Sequence, residues 1–316
     1  MSKNPAEGTG KVYYFPIQYD QKTEESRMLS EDFLDFDSLW DYSNPHQTET
    51  RFREILLQVP ENNLAYLELL TQIARAQGLQ HKFDRAHQTL DQVERRLGKY
   101  SSRAKIRYLL ERGRTLNSSG RPEEARPMFE QAFNMAKDLS EDFYAVDALH
   151  MLAIVAPAAS GLDLNLRAIQ MAESSSQAKA RSWLGSLYNN TGWSYHELGK
   201  YDSALEMFER AEAARREQGR VNEIRIAQWC VARALRSLNR AEEALSKQMT
   251  LKEEFEGDGE NDGYVYEEIG ECLAMMNRAE EARPYFARAH EVLSKDSVLA
   301  EKEPKRIARL KALGGG

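Results

Sequence analysis

The chain has 316 residues, 41% hydrophobic and 29% charged, with a net charge of −7. That balance fits a folded, water-facing protein and excludes a general nucleic-acid binder, whose phosphate contacts need a concentrated basic face. Two distant cysteines, Cys230 and Cys272, give neither a zinc spacing nor a disulfide framework and read as reduced thiols. No basic-then-apolar leader opens the chain, and no run approaches the roughly 18–20 apolar residues of a membrane span. No membrane partner is expected, and the expected location is the cytoplasm.

Residues 1–43 read as an arm, polar and partly disordered, with two apolar islands. The first is Val12 to Ile17. The second, Phe33 to Trp40, mixes aromatics with acids, including Asp35 and Asp37. Asn44-Pro45 then marks a helix start, because Asn caps free amides and Pro tolerates the first turn. That helix is expected over 45–59, with Phe52, Ile55 and Leu56 on one face, until Pro60 breaks it.

Beyond it a repeat governs the pattern. Small residues recur at Ala74, Gly113, Ala153, Gly192, Ala232 and Gly270, in steps of 39, 40, 39, 40 and 38. A second series, Ala86, Ala125, Ala168, Ala204, Ala244 and Ala282, follows at an offset of 12, except 15 in the third pair. The longer offset places three extra residues in the turn Pro157 to Gly161. Such a period means stacked supersecondary units rather than one closed core. Six antiparallel helix pairs are expected over about 62–296. A basic helix with a thin apolar face follows at about 298–313, placed to cover the last pair. The final Gly314 to Gly316 reads as a frayed end.

The clearest pair holds Tyr188, Gly192, Tyr195, Gly199, Tyr201, Ala204, Phe208 and Ala211. This succession resembles the tetratricopeptide repeat. Leu109, Gly113, Leu116, Gly120, Ala125, Phe129 and Ala132 carry the same pattern, as do Tyr266, Gly270, Leu273, Ala282, Phe286 and Ala289. The first, third and fifth pairs are more divergent. The period exceeds the family's usual repeat of about 34 residues, a long-helix trait shared with proteins such as the kinesin light chain. The resemblance implies an all-α fold, a right-handed α-solenoid of antiparallel helix pairs over 44–313.

It also implies that the first helix of each pair lines a concave groove. The candidate binding residues are then Arg75, Arg107, Arg114, His150, Asn189, Asn190, Trp193, His196, Trp229, Arg233 and Arg236. Trp193 and Trp229 come from adjacent first helices, and tryptophan is enriched at binding hot spots. Asn189 and Asn190 can bond a peptide backbone. The arginines make the groove cationic, while Glu267, Glu268 and Glu271 close one end. A protein or peptide with an acidic-aromatic segment suits this surface. The competing reading is that the tryptophans fill the space between helices and the charges are solvated.

Catalysis is not expected. His150 and Asp147 share a helix face, but no nucleophile motif accompanies them. His81 and His87 lack further metal ligands, and no phosphate-loop or dinucleotide motif calls for a cofactor. The expected function is a non-enzymatic interaction scaffold or adaptor. The alternative is a regulatory sensor whose superhelix responds to a bound peptide or small ligand. Two fates are open to Phe33 to Trp40: a cap packed on the helix at 45–59, or occupation of the groove by the chain itself.

Overall fold

The computed structural model describes residues 36–98 and 102–315. The island at 12–17, the start of the second island and the expectation of a disordered arm lie outside the described residues.

A 3-10 turn, Phe36–Leu39, leads into α1, Pro45–Leu56. The first pair is α2 (Leu64–Leu79) with α3 (Phe83–Arg96), and the second is α4 (Arg103–Ser118) with α5 (Pro122–Asp138). The third is α6 (Asp142–Val155) with α7 (Ala158–Ser174), followed by the short α8 (Ala178–Arg181). The fourth is α9 (Leu184–Glu197) with α10 (Tyr201–Glu217), and the fifth is α11 (Val221–Ser237) with α12 (Ala241–Gly257). The sixth is α13 (Gly263–Met275) with α14 (Ala279–Leu293); α15 (Ser297–Lys302) and α16 (Pro304–Leu313) close the series. Among the described residues there is no strand, and no helix is long and apolar enough to cross a membrane. The helices form two compact units, divided between Trp183 and Leu184.

Local chemistry sets the helix ends. The side chain of Asn44 accepts from the Gln47 amide at 3.1 Å, Asn63 from Ala65 at 2.9 Å, and Asp262 from Tyr264 and Val265 at 2.8 and 3.0 Å. Gly199 closes α9 at φ +70°, a left-handed conformation that glycine takes without steric cost. There the Lys200 amide donates back to the Tyr195 carbonyl at 2.9 Å, satisfying a carbonyl that the helix leaves open.

Packing inside a pair joins the two small-residue series. Ala86, Ala125, Ala168, Ala204, Ala244 and Ala282 are all buried. Four residues beyond Ala125, Ala204 and Ala282, a phenylalanine lies against the glycine of the facing helix. A Cβ on Gly192 would stand 2.5 Å from Phe208, one on Gly270 2.7 Å from Phe286, and one on Gly113 would collide with Phe129. The glycines therefore set how closely the helices of a pair approach.

Several expectations are corrected. Ala153 is half-buried, unlike the other five small residues of the first series. The extra residues of the third pair are helical, not a longer turn. α6 stops at Val155 and α7 begins at Ala158, so Ala168 lies mid-helix where its counterparts lie in the first turn. α1 ends at Leu56 rather than Val59, because the residue before Pro60 is kept out of the helical region; Gln58 and Val59 close a tight turn instead. The terminal helix is broken at Glu303-Pro304, since proline has no amide to continue α15. Gly314 lies against α14, where a Cβ would meet the Ala287 backbone at 2.7 Å, so it is packed rather than frayed.

Candidate binding faces

In residues 36–183, Arg75 stands on α2, Arg107 and Arg114 on α4, and His150 on α6. Arg75 donates to Glu111 Oε1 at 3.2 Å. Arg114 donates to the same oxygen at 2.6 Å and pairs with Asp147. Arg107 meets both oxygens of Asp37, at 3.1 and 3.0 Å, and its Nε lies 3.2 Å from Glu68. Arg103 forks onto Glu68 at 3.1 Å to each oxygen. An open cationic groove at these arginines is therefore corrected to a set of internal ion pairs. A guanidinium packed between helices loses water and must be neutralised there. The sequence carries a pairing signal: Arg75–Glu111, Arg103–Glu68 and Arg114–Asp147 are 36, 35 and 33 residues apart, about one repeat.

The second apolar island joins this face. Phe36, Leu39 and Trp40 are buried in the core of these repeats. Trp40 sets its edge on Phe52 of α1, with centroids 5.3 Å apart, and its Nε1 donates to Gln72 Oε1 of α2 at 2.9 Å. The guanidinium of Arg75 lies 5.6 Å from the Trp40 ring and 5.5 Å from that of Tyr42. Asp37 also pairs with Lys179 of α8, a residue the sequence reading did not single out. Burial opposes ionisation of Asp37, yet Arg107 and Lys179 outweigh it and hold the carboxyl well below its usual range. The two fates drawn for this segment are thus combined: it packs on α1 and covers the first helices α2 and α4.

His150 is 7% exposed, and its ring lies 5.3 Å from that of Trp183. Burial, opposed by Asp147 and aided by Arg114, pushes its pKa down to about 4. At neutral pH it is an uncharged core residue, not part of an accessible face.

In residues 184–315 the first helices are α9, α11 and α13. Asn189 is buried and accepts from the Cys230 thiol at 3.4 Å, so it is removed from the binding set. Asn190, the next residue, is half-buried, and among the described residues its side-chain amide has no protein partner. Trp193, Trp229 and Tyr264 form a row of half-buried rings, with centroids 6.1 and 6.5 Å apart. Trp193 rests its inner edge on Phe208, and the Trp229 indole donates to the Tyr264 carbonyl at 3.1 Å. Each tryptophan therefore fills space between helices and keeps part of its surface open.

Charge on this face is also paired, but less completely. Glu268 takes a two-pronged contact from Arg236, while Arg233 Nε stands 3.9 Å from it. Arg233 instead donates to Ser237 Oγ at 2.5 Å. Burial and the neighbouring Arg236 lower the Arg233 pKa, against the pull of Glu268. Its positive charge is thus the least compensated on the face. His196 bonds Ser237 at 2.9 Å, and burial together with Arg233 and Arg236 pushes it down to about 4. The acidic end expected from Glu267, Glu268 and Glu271 is also spent, since Arg306 and Arg309 of α16 pair with Glu267 and Glu271.

The description "Tetratricopeptide repeat" belongs to the family model that matches residues 106–139 and 185–218, the second and fourth pairs. No curated protein sequence matches the chain. The crystal structure of the apo form of RapI is similar over 87% of this chain and 76% of that one, at 14% identity and a TM-score of 0.68. A STAND (signal transduction ATPase with numerous domains) protein with a tetratricopeptide repeat sensor, from Pyrococcus horikoshii, is similar over 82% of this chain at 12% identity and a TM-score of 0.64. The chain covers 41% of that protein's length. Identities this low establish a common fold. The second and fourth pairs are thus tetratricopeptide repeats by sequence, and the chain has the all-α fold of tetratricopeptide-repeat proteins.

Proposed function

We propose that the protein is a non-catalytic scaffold that binds a partner protein through the first-helix face of residues 184–315. The half-open ring row Trp193, Trp229 and Tyr264 carries this reading. Large rings left partly exposed gain most when a partner covers them, and they lose little side-chain entropy in doing so. Asn190 offers amide donors and an acceptor to a peptide backbone, and Arg233 offers a guanidinium to a carboxylate. An extended segment with an aromatic or aliphatic anchor and one acidic group matches these chemistries. The sensor role named for the Pyrococcus horikoshii protein's repeats would use the same kind of face. Cytoplasmic residence belongs to this reading, with Cys230 and Cys272 as free buried thiols.

The test is to identify proteins that co-purify with the full chain and measure their affinity for Asn190→Ala and Arg233→Ala variants. Each change should weaken binding by about 1–2 kcal/mol, near tenfold, with little effect on melting. Unchanged affinity in both variants overturns the placement of the site.

A further inference from the structure

We propose that the first-helix face of residues 36–183 is a second binding site, for a partner segment with a carboxylate between aromatic and aliphatic anchors. The chain's own Phe36 to Tyr42 now holds that site. This rests on the reading that first-helix faces of the protein bind segments, but it involves different residues from those proposed above.

Three observations carry it. The first is how the segment is seated. Its 3-10 turn brings Phe36 and Leu39, three apart, to the same side. Phe36, Leu39 and Trp40 enter the core, while Asp37 and the Trp40 indole take side-chain partners from three separate elements. Those partners, Gln72, Arg107 and Lys179, are 32, 70 and 142 residues away. Successive repeats are thus bridged in the manner of a bound peptide. The second is charge. The Asp37 carboxylate is held at once by the Arg107 guanidinium, at 3.1 and 3.0 Å, and by the Lys179 ammonium, so this face grips an anion from two elements. The third is the Arg75 guanidinium, which lies over Trp40 and Tyr42 and so matches an aromatic flank to the carboxylate.

A tethered segment competes at high effective concentration, so a partner's apparent affinity falls by the fraction of time the face is free. Weakening the segment's hold should therefore tighten partner binding.

The experiment uses the full chain labelled with fluorotryptophan and a synthetic peptide of residues 33–43 as probe. In the Asp37→Ala variant the peptide should bind at least about tenfold more tightly than in the parent and shift the Trp40 resonance. A peptide lacking the carboxylate at the position of Asp37 should bind more weakly. Absence of saturable binding to Asp37→Ala overturns the proposal, as does an Asp37→Ala protein that exchanges segments as a dimer. Loss of peptide binding in Arg233→Ala would place the peptide on the other face, overturning this proposal while leaving the proposed function standing. Hydrogen exchange at the Trp40 indole of the parent protein gives a readout that needs no variant. It should be faster than at the amides of α2 and α4, and exchange only through global unfolding overturns the proposal.

Discussion

Glycine and histidine show how much one side chain decides here. Gly113 faces the Phe129 ring with no room for a Cβ, whereas a Cβ on Gly78 would meet nothing closer than Thr115 Oγ1 at 3.9 Å. Gly113→Ala should therefore cost about 1–3 kcal/mol through displacement of a core ring. Gly78→Ala should stabilise by about 0.5–1 kcal/mol, because only helix propensity changes. Urea unfolding of the two variants separates these signs. His150 supplies a pH dependence. Its folded pKa of about 4 lies below the unfolded value of about 6.5, so the unfolded state binds the extra proton between the two. Its contribution is intact above about pH 6.5 and is lost as pH falls to about 4, at up to about 1.4 kcal/mol per pH unit. His150→Phe should flatten urea-unfolding stability across that window. The Asp37 pair, whose folded pKa is depressed, is lost only below the usual carboxylate range. The sequence pointed to Gly113, Gly192 and Gly270 because spacing alone reveals close approach. That Arg75 and Arg114 meet carboxylates on the next first helix was carried only by spacings of 36 and 33 residues, because residue type does not tell a paired guanidinium from a solvated one.

Helices were legible wherever a periodic apolar face coincided with a cap, as at Asn44-Pro45 and at the Gly199 turn. The third pair was misread because its period was preserved while the extra residues joined α7, and an offset cannot say whether added residues coil or turn. The second island was legible as a docking element by composition, but its partners on α2, α4 and α8 required the fold. At the other end, α16 buries Leu310 completely within the cluster formed with α13 and α14, and its basic face meets Glu267 and Glu271. Most of its contribution should be apolar. Leu310→Ala is expected to cost about 2–5 kcal/mol. Removal of the Arg309–Glu271 pair, with the arginine half exposed, should cost less than about 1 kcal/mol and fade in salt. Denaturant midpoints at low and high salt test this ranking, and a larger loss from Arg309→Ala than from Leu310→Ala would make α16 an electrostatic rather than an apolar cover.

Across the molecule, net charge and repeat connectivity shape what a partner meets. With a net charge of −7 and most first-helix arginines paired internally, long-range steering of an acidic partner is weak. In the function we propose, local fit around Trp193, Trp229 and Arg233 then has to provide the affinity. Connectivity decides how damage spreads. In a stacked array each pair touches its neighbours, so stability is a sum of local and nearest-neighbour contributions rather than one indivisible core. Gly270 provides a test within residues 184–315, since its substitution strains the α13–α14 pair through Phe286 and leaves the side chains of α9 and α10 untouched. Hydrogen exchange in Gly270→Ala should accelerate most in α13, α14 and α16, less in α11 and α12, and least in α9 and α10. Equal acceleration in all these helices would mean that the unit unfolds as one closed core, and the additive picture of its repeats would have to be abandoned.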